Sequence, residues 1–226
     1  MKKIFLVLFV LVVNIFASNV IDMKNIDFKK SAIVLIEYQN AWLKKDSKLS
    51  SLMKDKKQFE NSKVNSKKIF EFARKVGINI IHIPFLVSND YKEFGKDNAK
   101  YGLRAVIQKA GTWQNEDKEI HKDFIPKTGE FVVSGRIGAS GFAGSNLDAI
   151  LRNNKIDNLF LMGYATNVCV ESTLREAHDK GYNTYVVKDA VSAFTKDQKE
   201  FFENNILHHF GALIDTKTFI DLKDNG

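Results

Sequence analysis

The sequence predicts an α/β protein: a Rossmann-like three-layer α/β/α sandwich around a mostly parallel sheet of about six strands. Short β-branched runs alternate along the chain with longer amphipathic segments. Several of the runs are apolar on successive residues, which marks strands buried on both faces of a parallel sheet. Strand and helix in alternation give right-handed crossovers, with helices on both faces. The strands are read at SAIVLIEY (31–38), INIIHI (78–83), EFVVSG (130–135), NLFLMG (158–163), NTYVVKD (183–189) and GALID (211–215). Helical patterns run over 59–76, 146–153, 171–180 and 196–208. The connection from Leu86 to Ile125 is long for a compact domain and sets Tyr91, Phe94, Tyr101 and Trp113 among charges. Such a stretch is expected to be a lid or binding loop.

The first residues, MKKIFLVLFVLVVNIFAS, combine Lys2 and Lys3, an apolar run from Ile4 to Val13 and a small residue at Ala17. This is the three-part pattern of a secretory signal peptide. The run is short for a bilayer span and no stop-transfer segment follows it. The expected organisation is therefore a signal peptide over 1–17, cleaved near Ala17, and a single domain over 18–226. Ser18 in place of a cysteine excludes a lipoprotein anchor, so the mature chain is expected in the periplasm or outside the cell with no stable membrane anchor. A retained anchor helix is the alternative reading. Removing 17 of the 226 residues leaves 209, enough for one domain with a full core.

Of 34 basic residues two lie in that first segment, so 32 face 27 acidic ones, a net +5. They are interleaved with acids, as in KKDSKLSSLMKDKK, which is the pattern of a solvated surface and argues against a nucleic-acid partner. The only cysteine, Cys169, excludes an intrachain disulfide framework. An unpaired thiol in an exported chain calls for an explanation.

In an open α/β sheet the ligand crevice lies beyond the carboxyl ends of the strands. Three reactive side chains are placed there. Glu37 ends the run AIVLI, Arg136 follows EFVVSG, and Cys169 follows NLFLMG at the expected start of a helix. Unpaired N–H groups and the positive end of the helix dipole favour a thiolate at such a position, and can also hold a developing oxyanion. The competing explanations are a cysteine packed as a small hydrophobe and a structural ion pair between Glu37 and Arg136.

GYATNVCVESTLREAHDKGY followed by VVKDAVSAF resembles the signature of the isochorismatase-like cysteine hydrolases, a superfamily that includes nicotinamidases, N-carbamoylsarcosine amidohydrolase, biuret hydrolase and ureidoacrylate amidohydrolase. The resemblance extends to IVLIEYQNAW, to GTW, EI and FIPKTGEFVV, and to RIGASGFAGSNLDAIL, so it covers nearly the whole mature chain. The wording of SGF, LDAIL and ATNVCVESTLRE is most similar to ureidoacrylate and related carbamoyl-amide hydrolases.

The resemblance implies a triad of aspartate, lysine and cysteine, and this chain departs from it twice. Glu37 of Glu37-Tyr38-Gln39 stands where the family has aspartate, and Arg136, six residues before Phe142, where it has lysine. Both changes keep the charge and lengthen the side chain. A glutamate remains a possible general base, whereas a guanidinium can hold a carboxylate or steady a thiolate but cannot shuttle a proton. The resemblance also implies a non-proline cis peptide between Tyr164 and Ala165, with the Ala165 and Cys169 N–H groups as the oxyanion hole. Gln39, Trp42, Trp113 and Tyr164 are candidates for the pocket wall, with core packing as their alternative. Leu86 to Trp113 lacks the histidines of zinc-type nicotinamidases, and GFAGSN lacks the lysine of a phosphate cradle, so neither metal nor cofactor is expected. The implied activity is hydrolysis of a C–N bond in a small amide or carbamoyl or urea-type substrate through a thioester on Cys169. The partners expected are that substrate and further copies of the chain. A fold retained for binding alone is the competing class; hydrolysis of a vinyl ether, which needs no nucleophilic cysteine, is a third.

Overall fold

The structure, a computed structural model, describes residues 25–95, 99–224 and 226. The expected signal peptide over 1–17 lies outside the described residues. Among the described residues eight strands form two sheets. β1 (Asn25–Ile26) pairs in parallel with β8 (Lys223–Asp224) in a small ladder at the ends of the domain. The central sheet has six strands, β2 (Ser31–Ile36), β3 (Asn79–Ile83), β4 (Phe131–Val132), β5 (Asn158–Tyr164), β6 (Asn183–Ser192) and β7 (Ala212–Ile214). They lie in the order β4-β3-β2-β5-β6-β7, and every pairing is parallel.

The apolar run of β2 is buried at all six positions because alternate side chains serve two cores. Ile33 and Leu35 join Phe59, Ile69, Phe70 and Ala73 of the helix Lys56–Val76 on one face. Ala32, Val34 and Ile36 join Leu147 and Leu151 of Leu147–Asn153, Leu174 and Ala177 of Glu171–Asp179, and Phe202 of Lys196–Asn205 on the other. These are the three layers. The long helix begins where the Asp55 carboxylate accepts the Gln58 N–H at 3.0 Å and ends at Gly77, whose φ of +80° closes the last turn in the left-handed region.

The strand order reverses between β2 and β5. From β2 the chain proceeds to β3 on one side, and from β5 to β6 on the other, so the two outgoing connections diverge and leave a crevice beyond the carboxyl ends. Gly163 lets the strands approach there: with φ +130°, a Cβ on it would lie 2.1 Å from the Ile36 carbonyl oxygen. The peptide bond that follows, between Tyr164 and Ala165, is cis.

The edge strand β4 is shorter than the pattern over 130–135 suggested. It pairs only at Ile81–Phe131 and His82–Val132, and Gly135, at φ +81°, turns the chain away. The connection over 86–125 is not irregular throughout. It contains a helix, Gly102–Ala110, is tied to the domain by a Gln39–Ile120 bridge, and is braced within itself by the Tyr91 hydroxyl, which donates to the Thr112 carbonyl at 2.6 Å.

Candidate active site

Glu37 is the first residue beyond β2 and adopts φ +63°, a left-handed conformation that turns its side chain over the strand ends. Its backbone N–H donates to the Ile83 carbonyl at 3.0 Å, anchoring the turn to β3. Both carboxylate oxygens are engaged. Trp42 Nε1 donates to Oε2 at 2.8 Å and Arg136 Nη2 to Oε1 at 2.6 Å. Glu37 is 2% exposed and Arg136 1%, so this is a buried charge pair whose remaining hydrogen-bonding capacity has to be met locally. For Arg136 it is met by carbonyl oxygens: Gly138 accepts from Nε at 3.0 Å, Ala139 from Nη2 at 2.7 Å and Ile83 from Nη1 at 3.5 Å. The guanidinium also lies 5.2 Å from the Phe85 ring centroid. Burial opposes its charge, but Glu37 and Cys169 outweigh burial and raise the Arg136 pKa above its ordinary value.

Cys169 lies in a wide π-helical turn, Thr166–Val170, between β5 and the helix Glu171–Asp179. Asn167, at φ −86° and ψ 16°, breaks regular geometry inside the turn. Single π turns of this kind recur at functional sites. Thr173 supports it, its hydroxyl donating to the Cys169 carbonyl at 2.7 Å and accepting from the Gly141 N–H at 2.9 Å. That links the turn to the loop carrying Arg136. Glu37 and Arg136 both act on the Cys169 sulfur, the carboxylate raising and the guanidinium lowering its pKa, so the three residues read at three strand ends stand together.

The surroundings of the sulfur work against the thiolate that the sequence leads one to expect. Cys169 is 6% exposed. Burial, and after it the Glu37 carboxylate, push its pKa well above the ordinary thiol value, and Arg136 only partly opposes them. Burial and the carboxylate both favour the neutral thiol over the thiolate. The helix-dipole argument fails because the turn separates the sulfur from a regular helix start and a carboxylate touches it.

A cavity of about 500 Å³ opens onto Glu37, Ala165 and Cys169. Trp42 and Trp113 line it, 6.4 Å apart between ring centroids. Gln39 and Tyr164 do not. The Gln39 amide is consumed by backbone, accepting the Phe85 N–H at 2.7 Å and donating to the Phe85 and Lys118 carbonyls at 3.1 and 2.6 Å. Tyr164 is fully buried among Tyr38, Trp42 and Phe59, with its hydroxyl 3.2 Å from that of Ser62. Each is a support behind the wall. The opposite wall was missed in sequence: Leu103, Val106, Ile107 and Ala110 of the helix Gly102–Ala110 face the cavity. Their spacing of i, i+3, i+4, i+7 is an amphipathic helical signal within the stretch read as a loop. Among the described residues no group of three or more His, Cys, Asp or Glu side chains is arranged to hold a metal.

This geometry agrees with the relationships of the chain. Residues 31–218 match the isochorismatase domain model. The sequence is 31% identical over 176 residues to ureidoacrylate amidohydrolase RutB of Agrobacterium fabrum, covering 72% of this chain and 75% of that protein. It is 29% identical over 199 residues to the uncharacterized isochorismatase family protein YwoC of Bacillus subtilis, covering 87% and 96%. Among solved structures, a cysteine hydrolase from Pseudomonas syringae pv. phaseolicola superposes with a TM-score of 0.74 at 21% identity, over 86% of this chain and 92% of that one. N-carbamoylsarcosine amidase from Thermoplasma acidophilum superposes with a TM-score of 0.60 at 22% identity, over 83% and 96%. The chain belongs to the isochorismatase family.

Proposed function

We propose that this protein is an exported amidohydrolase that cleaves a C–N bond of a small amide or carbamoyl compound through a thioester-type intermediate on Cys169. The observation that carries the reading is the buried cluster of Glu37, Arg136 and Cys169 at the floor of an apolar cavity, beside the strand-order reversal. The similarity to ureidoacrylate amidohydrolases supports it. Because the site favours the neutral thiol, its proton passes to Glu37 as sulfur attacks the carbonyl carbon. The N–H groups of Ala165 and Cys169 receive the oxyanion. Ammonia or an amine leaves with the proton from Glu37, and the same carboxylate then activates the water that hydrolyses the thioester. Arg136, with its donors fixed on Glu37 and three carbonyls, orients the base and takes no part in proton transfer.

The raised thiol pKa also suits a fold retained for binding, in which Cys169 stays inert. Ammonia release from a panel of small amides and ureas separates the two. The parent protein is expected to turn over at least one member, and Cys169→Ala none. Melting temperatures raised by ligands with no release by the parent would leave the binding reading.

A further inference from the structure

The cavity above Cys169 is walled almost entirely by hydrocarbon. Trp42, Trp113, Phe85 and Phe194 form an aromatic group, with Trp113 5.5 Å from Phe85 and Phe194 6.0 Å from Trp42 between centroids. Of the two indole nitrogens among these rings, that of Trp42 is spent on Glu37. The apolar face of Gly102–Ala110 closes the other side.

Charge decides what this space accepts. Among the described lining residues, the one acidic residue is Glu37 and the one basic residue is Lys48. Lys48 Nζ is turned onto the end of the Gly102–Ala110 helix, donating to the Ala110 and Gly111 carbonyls at 2.9 and 3.1 Å. Arg136 lies behind Glu37, with every nitrogen donating to Glu37 or a backbone carbonyl. A substrate carboxylate entering the cavity would lose its water, meet no uncommitted cation among the described lining residues, and face the Glu37 charge. An uncharged apolar group would gain from the aromatic wall. A cavity of this volume falls within the usual range for small ligands, roughly 300–1,000 Å³.

We propose that the substrate of this site is an uncharged amide whose substituent is apolar and about the size of an aromatic ring, and that ureido acids and other carboxylate-bearing amides are excluded. The proposal rests on the amidohydrolase reading and names its substrate class: the amide meets Cys169 while the apolar group lies against Trp42, Trp113 and Phe85.

Binding and turnover test it separately. Calorimetry on Cys169→Ala with phenylacetamide and hexanamide, against 3-ureidopropionate and succinamate, reads the cavity's preference without chemistry. Ammonia release by the parent reads the chemistry. The neutral amides are expected to bind at least about ten-fold more tightly, with kcat/KM in the same order. Val106→Arg, which puts a free cation on the exposed rim of the wall, is expected to shrink that preference by about ten-fold. Equal or tighter binding of the carboxylates, or no binding of either neutral amide at millimolar concentration, overturns the inference. Ammonia released only from the carboxylate probes also overturns it, and leaves the amidohydrolase reading standing. Binding in the expected order with no ammonia from any probe keeps the cavity's preference for apolar amides as ligands and overturns their assignment as substrates.

Discussion

Glu37 carries two opposed duties in the proposed chemistry. As a carboxylate touching Cys169 it raises the thiol pKa, and as a base it must accept that same proton. Glu37→Gln separates them. The amide keeps one oxygen to accept from Arg136 while its NH2 takes the place of the oxygen that accepts from Trp42, the negative charge is gone, and the guanidinium is left to stabilise the thiolate. Native Cys169 in the parent is expected to react slowly with iodoacetamide near neutral pH, the rate climbing as pH rises above the ordinary thiol range. In Glu37→Gln the profile is expected to move to lower pH, by about ten-fold in neutral rate for each pKa unit removed, while turnover is lost. An unmoved alkylation profile would mean that Glu37 does not govern the sulfur. The charge types and strand-end positions of Glu37, Arg136 and Cys169 were legible in sequence. The thiol's protonation was not, because it depends on burial and on a contact between residues 132 positions apart in the chain.

The pairing of the Lys56–Val76 helix with the edge of the sheet rests on a charged junction. Arg74 donates to Glu130 through Nε at 2.6 Å and Nη2 at 3.0 Å, His82 Nε2 lies 3.1 Å from the same carboxylate, and the Lys127 N–H donates at 3.0 Å. Burial raises the Glu130 pKa, but these donors together outweigh it and bring it down to about 2. A carboxyl depressed in the folded state contributes stability that is complete above its unfolded pKa and is lost as pH falls through the folded one. That window runs from about 4.5 down to about 2. Glu130→Gln is expected to lower stability at pH 7 by about 2 kcal/mol and to flatten the acid-induced loss across the window, as measured by denaturant unfolding at a series of pH values. A parallel loss in parent and variant would place the acid sensitivity elsewhere. The helix Gly102–Ala110 shows the opposite kind of legibility. Its apolar spacing is plain once seen, but the surrounding charges and aromatic residues masked it, and only the packed cavity says which side its apolar face covers.

At the scale of the whole molecule the parallel order β4-β3-β2-β5-β6-β7 brings the ends of β2 and β5 together and turns three distant segments into one site. The proposed export adds a test outside the folded domain: N-terminal sequencing of protein recovered from the producing cells is expected to begin at or near Ser18, in the periplasm or medium. Intact Met1 on a cytoplasmic protein would remove that part of the proposal. By itself the sequence determined the α/β layering and the strand ends at which Glu37, Arg136 and Cys169 sit, because doubly buried strands must be apolar on successive residues and their reactive neighbours then stand out. Tertiary structure alone decided the rest. It set Gln39 and Tyr164 behind the wall and left Trp42 and Trp113 in it, occupied the donors of Arg136 and Lys48, and pushed the Cys169 pKa upward. Each of these outcomes depends on which partner a side chain meets across the fold, and local residue pattern carries no record of that meeting.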